Sequence, residues 1–142
     1  MKKATKKRSP DGAGISRRQR AFRQGHKAEV YARRVLRAKG HRLLARNFHH
    51  PLGEVDLIVG RGGLLVFVEA KFRADHDAGA YAVSPAQWRR ISAGASGFVA
   101  RQPHCAGFVW RLDLFGVNGN GRFRHKKNFS ALEPTRNFGE SV

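Results

Sequence analysis

The stretch that most restricts how this chain can fold lies between Gly53 and Phe72. Val55, Leu57, Ile58 and Val59 precede Gly60-Arg61-Gly62-Gly63, and Leu64-Leu65-Val66-Phe67-Val68 follow it. Two β-rich runs around a glycine cluster read as a hairpin. The second run is so apolar that both of its faces have to be covered, which puts it in the centre of a sheet. Yet that run continues into Glu69-Ala70-Lys71, and the first carries Glu54 and Asp56. A purely structural account leaves charged groups in the most apolar strand pair of the chain unexplained.

The remaining pattern supplies elements on either side. From Gly25 to Gly40, Ala28, Tyr31, Ala32, Val35 and Leu36 recur at helical spacing between two glycines suited to helix boundaries. Glu29 falls at the edge of that apolar stripe, and Arg33, Arg34 and Arg37 occupy the rest of the helix surface. His41 to Phe48 reads as an edge strand with Leu43 and Leu44 inward. A loop with Asp75, His76, Asp77 and Gly79 leads to Ser84-Pro85, an N-cap followed by Pro at the first helical position. Trp88, Ile91, Ala95, Phe98 and Val99 mark the inner face of this second helix, which ends near Arg101. Gly94 and Gly97 weaken it by about 1 kcal/mol each relative to Ala and suit close packing on a sheet. Phe108 to Val117 is a further strand, Asn118-Gly119-Asn120-Gly121 a turn, and Arg122 to His125 a short last strand. The expected order is helix, three strands, helix, two strands.

A chain of 142 residues has room for one domain with a real core. Lys and Arg number 28 against 10 acidic residues, a net charge of +18 with a pI near 11.6. That balance favours a polyanionic partner, nucleic acid ahead of an acidic membrane surface. Residues 1–24 are basic, poor in apolar groups and expected to be disordered, adding affinity for phosphates without sequence specificity. Arg122 to Lys127 is a second basic stretch, which could flank a phosphate groove or be a solvated edge strand. Cys105 is the single cysteine, so an intramolecular disulfide and a cysteine-based zinc cluster are both excluded. No apolar run reaches the ~18 residues needed to cross a bilayer, and the amino terminus lacks the apolar core of a secretory signal. The expected location is cytoplasmic, without membrane attachment. His49-His50 lacks ligand spacing and reads as surface loop. Trp88 and Trp110 fall on apolar stripes and read as core.

In a strand, residues two apart share a face, so Glu54 goes with Asp56, and Glu69 with Lys71 and Arg73. If Gly62-Gly63 is a two-residue primed turn, Arg61 faces Leu64, Asp56 lies opposite Glu69 and Glu54 opposite Lys71. A looser four-residue turn would make Asp56 and Glu69 diagonal neighbours on the same face. Either register brings two carboxylates together, which is destabilising unless a proton or a cation intervenes. Mg²⁺ (or Mn²⁺) held by Asp56, one Glu69 oxygen and the Ala70 main-chain carbonyl is the natural remedy, leaving positions for phosphate and water. Lys71 would neutralise phosphate charge and orient or deprotonate an attacking water. Glu29 would reach the ion directly or through water, and Gln87, Arg90 and Arg73 are candidates for positioning substrate. These groups suit hydrolysis of a phosphodiester; the rival expectation is a basic nucleic-acid-binding protein without catalysis.

Gly25-His26-Lys27-Ala28-Glu29, Ala45-Arg46-Asn47-Phe48, Gly53-Glu54-Val55-Asp56-Leu57-Ile58, Val66-Phe67-Val68-Glu69-Ala70-Lys71 and Arg89-Arg90-Ile91 together resemble the YraN-like family of bacterial proteins. The similarity runs from Gly25 to Leu132, setting apart the tails over 1–24 and 133–142. That family looks like a branch of the PD-(D/E)XK nucleases, akin to restriction endonucleases and archaeal Holliday junction resolvases. The resemblance implies an α/β restriction endonuclease-like core, a mixed sheet of about five strands flanked by two main helices. It assigns Asp56 and Glu69 as metal ligands, Lys71 as the catalytic lysine and Glu29 as the helix acid. It also implies DNA, including branched DNA, rather than RNA, and a homodimer, since junction-cutting relatives work as symmetric dimers. Where relatives show a Lys in the second helix, this chain has Gln87.

Overall fold

The computed structural model describes residues 10–73 and 83–127. The expected C-terminal tail over 133–142, the first part of the basic tail and the loop with Asp75, His76, Asp77 and Gly79 lie outside the described residues. The chain order is α1 (Pro10–Ala38), β1 (Arg42–His50), β2 (Gly53–Arg61), β3 (Leu64–Phe72), α2 (Pro85–Ala100), a 3-10 turn (Pro103–Cys105), β4 (Val109–Val117) and β5 (Phe123–Lys126). The five strands form one mixed sheet in the order β1-β2-β3-β4-β5. β3 and β4 run parallel, joined by the crossover through α2, and the other neighbours are antiparallel. This is the expected α/β architecture, with one helix on each face.

The two faces are separate cores. Ala28, Ala32 and Leu36 of α1 pack on Leu57, Val59, Val66, Val68, Phe115 and Val117. Trp88, Ile91, Ala95 and Phe98 of α2 pack on Ile58, Leu65, Phe67, Leu112 and Leu114 from the opposite side. β3 is therefore covered on both faces, as its unbroken apolar run requires. Trp88 is buried in the α2-side core, and the half-buried Trp110 packs edge-on against Phe67 at its margin.

α1 begins at Pro10, upstream of the expected start at Gly25, and so runs through part of the basic tail read as disordered. The Arg, Gln and Ala residues there are good helix formers, and Pro is tolerated in a first turn. Its end is where the pattern placed it. Gly40 has φ of 90°, and the Gly40 and His41 amides bond to the Arg37 and Leu36 carbonyls, a complete left-handed cap. Leu43 and Leu44, read as inward, are 40 % and 43 % exposed. A shift of register between Leu43 and Ala45 breaks the alternation on which their inward placement rested.

The β2–β3 turn is the two-residue form. Arg61 pairs with Leu64, Gly62 has φ of 58°, and the ladder runs back to Leu57↔Val68. A Cβ on Gly53 would lie 1.9 Å from the Arg90 carbonyl oxygen, and one on Gly94 3.0 Å from the Glu54 amide nitrogen. The start of β2 and the middle of α2 thus touch backbone to backbone, which holds Glu54 against the second helix.

Candidate functional site

The ladder between β2 and β3 stops at Leu57↔Val68, one step before Asp56 and Glu69. On the other side, β1 and β2 pair at Arg46↔Leu57 and Phe48↔Val55 but not at Asn47 and Asp56, and Asn47 adopts φ of 47°. The alternation of faces breaks at the same place. Leu57 and Val59 belong to the α1 core, whereas Val55, two residues earlier, belongs to the α2 core. Asp56 sits at this twist, and its Oδ2 accepts the Ala70 amide at 2.9 Å. A side-chain carboxylate has taken an amide that a continued ladder would give to a backbone carbonyl. β2 and β3 form a fork, and Asp56 fills its crotch.

Glu69 and Asp56 approach one another inside the fork closely enough for each carboxyl to perturb the other. Burial is the main reason Glu69 is pushed up to about 8, with the Asp56 charge the next cause. Burial also raises Asp56, against the opposing effect of the Ala70 amide. Without a cation between them, two such carboxyls share a proton. The sequence register foresaw their meeting but not its route: they join across a fork rather than as paired neighbours on one flat face. Glu54 does not face Lys71. It pairs with Arg90 of α2 and lies 3.5 Å from His49 Nδ1, because the strands have separated by then.

Lys71 is only 7 % exposed, and its Nζ donates to Gln87 Oε1 at 3.1 Å. The same Gln87 oxygen accepts the Ser84 amide at 3.1 Å, while the Gln87 amide donates to Ser84 Oγ at 3.2 Å. Gln87 therefore closes the capping box of α2 and holds the lysine with one atom. Burial lowers the Lys71 pKa, against the pull of the neighbouring Glu69 carboxylate. Gln87, where the resemblance implied a Lys, is thus the group that positions Lys71.

Glu29 arrives from α1, 8 % exposed, and lines a cavity of about 480 Å³ with Asp56 and Ala70. His26, Asn47 and His49 line it too, three residues that sequence reasoning did not connect with the site. Asn47 carried one readable signal, since asparagine is among the few residues that tolerate positive φ. Among the described residues, no three His, Cys, Asp or Glu side chains converge on a point that could hold one ion. The fold thus brings together Asp56 and Glu69, with Lys71 and Gln87 beside them, and Glu29 of α1 lines the same cavity as Asp56. Arg90 is engaged by Glu54, and Arg73 lies at the end of β3, its amide bonded to the Val117 carbonyl. Neither of these arginines lines the cavity beside Asp56.

Comparison with known proteins gives a consistent family assignment. The model of the uncharacterised protein family UPF0102 matches residues 28–117, which include both strands of the fork and all of α2. A UPF0102 protein of Rhodopseudomonas palustris strain BisB18 is 45% identical over 126 residues, covering 88% of this chain and 93% of the relative. One from Chelativorans sp. strain BNC1 is 47% identical over 100 residues, covering 70% and 81%. One from Bradyrhizobium diazoefficiens is 43% identical over 105 residues, covering 74% and 79%.

Proposed function

Since the chain belongs to the uncharacterised protein family UPF0102, the YraN-like proteins, we propose from its acidic fork that it is a metal-dependent nuclease hydrolysing phosphodiester bonds in DNA. The observation that carries this reading is the close approach of Asp56 and Glu69, two largely buried carboxyl groups where β2 and β3 part. Folding brings two carboxyl groups into contact at a cost that a structural role does not repay, whereas a cation repays it directly.

The donor set fits Mg²⁺ or Mn²⁺. Asp56, Glu69 and the Ala70 carbonyl would offer hard oxygen ligands, and the cavity that Asp56 and Ala70 line has no sulfur donor among its described residues. Such an ion supplies charge that lowers the pKa of water and stabilises negative charge developing on phosphate. The Ala70 amide fixes one Asp56 oxygen and so sets the direction of the carboxylate. Lys71, held by Gln87, has its ammonium charge and its proton at a defined atom beside Glu69. Its lowered pKa suits exchange of that proton with water or with a phosphate oxygen nearer neutral pH than a free lysine allows. Glu29, which lines the same cavity as Asp56, would reach the ion directly or through an intervening water.

DNA, including branched DNA, is the substrate class implied by the likeness to restriction endonucleases and junction resolvases. The test is a panel of linear, flapped and four-way branched DNA with Mg²⁺, with Mn²⁺ and with chelator, using wild type and Asp56→Ala, Glu69→Ala and Lys71→Ala. Expected is metal-dependent cleavage abolished in all three variants with binding largely kept. Cleavage surviving in all three would remove the site assignment. Salt-sensitive binding with no product under any metal would favour the rival reading of a non-catalytic binding protein, which the net charge of +18 supports by itself.

A further inference from the structure

A cluster of arginines lies away from the fork. Arg33, Arg34 and Arg37 of α1 line a cavity of about 620 Å³ that is walled on its other side by His41 and Arg42. None of these four arginines meets a carboxylate among the described residues, where the ion pairs are those of Arg90 and His49 with Glu54 and of Arg111 and His125 with Asp113. His41 is 8 % exposed, and its Nδ1 has no hydrogen-bond partner. Its main chain is fixed by the cap that ends α1, so the wall it forms is rigid. The charge around it is mainly positive, with Arg111 and Arg61 outweighing Asp113.

Complementing the negative end of the helix dipole accounts for Arg37 in the last turn of α1. It does not account for Arg42 on the facing strand, nor for Arg33 a turn earlier. Unpaired guanidinium groups gathered from two elements around one concavity repel one another and persist where an anion is to be held.

The position of this cavity says which anion. Glu29, Arg33 and Arg37 are spaced i, i+4, i+8 and so share one edge of α1. Phe22, His26 and Glu29 on that edge line the cavity beside Asp56, with Asn47 and His49 of β1 opposite. Arg33 and Arg37 line this one, with Arg42 of the same strand opposite. The two cavities thus follow one another along α1 and edge strand β1, which line both, and together they mark a groove between these elements. At 1.5 Å per residue, the arginines stand roughly 6 to 12 Å along the helix from Glu29. A small phosphate would need only one part of that groove, whereas a chain of phosphates follows it to the fork.

We infer that the arginine-lined half of the α1–β1 groove is a docking site for the phosphodiester backbone of a nucleic acid, gripping it a short way along the strand from the Asp56–Glu69 fork. The inference rests on nucleic acid being the ligand in the proposed function, but not on cleavage. Its test is therefore binding in chelator. Anisotropy of a labelled duplex is measured between 0.05 and 0.3 M salt for wild type and for Arg33→Gln/Arg37→Gln/Arg42→Gln. A second triple variant, Arg89→Gln/Arg122→Gln/Arg124→Gln, removes the same charge from α2, the last turn and edge strand β5. Each lost phosphate contact lowers the slope of log K against log salt by about 0.9. The groove variant is expected to lose about 2 to 3 from the slope and roughly 30-fold or more in affinity at 0.1 M salt, and the control variant less than 1 from the slope. The Arg→Lys version of the groove triple keeps the charge and should keep most of the slope, which separates lost contacts from a lost fold. Equal slopes for the two Gln triples would overturn the inference, because net charge alone would then explain binding. It would also fall if wild type bound inorganic phosphate below about 1 mM, lost this in the groove variant, and showed no change in duplex slope. Absence of cleavage alongside a groove-specific slope would sink the hydrolytic reading and leave this one standing.

Discussion

Replacing Glu69 by Gln tests the acidic fork without a substrate. Glu69 has a folded-state pKa of about 8 against an ordinary value of 4.5. For an acid whose folded pKa lies above its unfolded one, the native state binds the extra proton, so stability is fully present below pH 4.5 and is lost as pH rises through 8. The difference, 8 − 4.5 = 3.5, corresponds at ~1.36 kcal/mol per unit to at most about 5 kcal/mol. Partial exposure of Glu69 screens this to about 3 kcal/mol. Glu69→Gln never carries the charge. In chelator at pH 9.5, its melting temperature should exceed that of wild type by roughly 10 °C, and the gap should shrink below pH 5. Adding Mg²⁺ at high pH should restore the wild type and leave the variant unmoved, since binding to the native state alone stabilises by mass action. Parallel pH profiles for the two proteins in chelator would show that Glu69 carries no raised pKa and that the fork holds no frustrated charge. The same substitution should stabilise the metal-free protein and abolish cleavage, which is the signature of a site maintained at the expense of stability.

Gln87→Ala should cost about 1 kcal/mol in chemical denaturation through loss of the capping box. It should also lower kcat more than KM rises, because Lys71 loses its acceptor, and Gln87→Glu should recover the cap. Gly53→Ala should destabilise by about 3 kcal/mol, because its Cβ would meet the Arg90 carbonyl at 1.9 Å. Gly63→Ala, with open space around it, serves as the control and should leave the denaturation midpoint unchanged. Asp113 accepts two bonds from Arg111, at 2.8 and 2.9 Å, and one from the buried His125 at 2.7 Å. Asp113→Ala should therefore cost about 3 kcal/mol or more in thermal unfolding, with kcat unchanged below the melting transition.

Local pattern was enough for the order of elements, for α2 with its Ser84-Pro85 start, for a β3 covered on both faces and for the two-residue turn at Gly62-Gly63. Periodicity and turn chemistry act over a few residues and are written directly into the chain. The approach of Asp56 to Glu69 was also legible from register counted back from the turn, although the ladder itself ends at Leu57↔Val68. What counting cannot contain is where a ladder stops. The fork opens because Asn47 leaves the β1–β2 pairing and Asp56 captures the Ala70 amide, a contest between side chain and backbone decided only once three strands are in place.

Distance along the chain hid the rest in the same way. Gln87 joins Lys71 across the crossover between β3 and α2, and Arg42 comes to face Arg33 and Arg37 because the chain reverses at Gly40. Leu43 and Leu44 look inward by composition and are turned outward by a shift of register in an edge strand that has a partner on one side only. The sequence by itself determined which residues are apolar, where the chain turns and how many charges it carries, since these are properties of neighbours in the chain. Only tertiary structure decided which charges meet. Electrostatic cost depends on burial and on the groups brought close by distant segments, and neither exists before the sheet is closed.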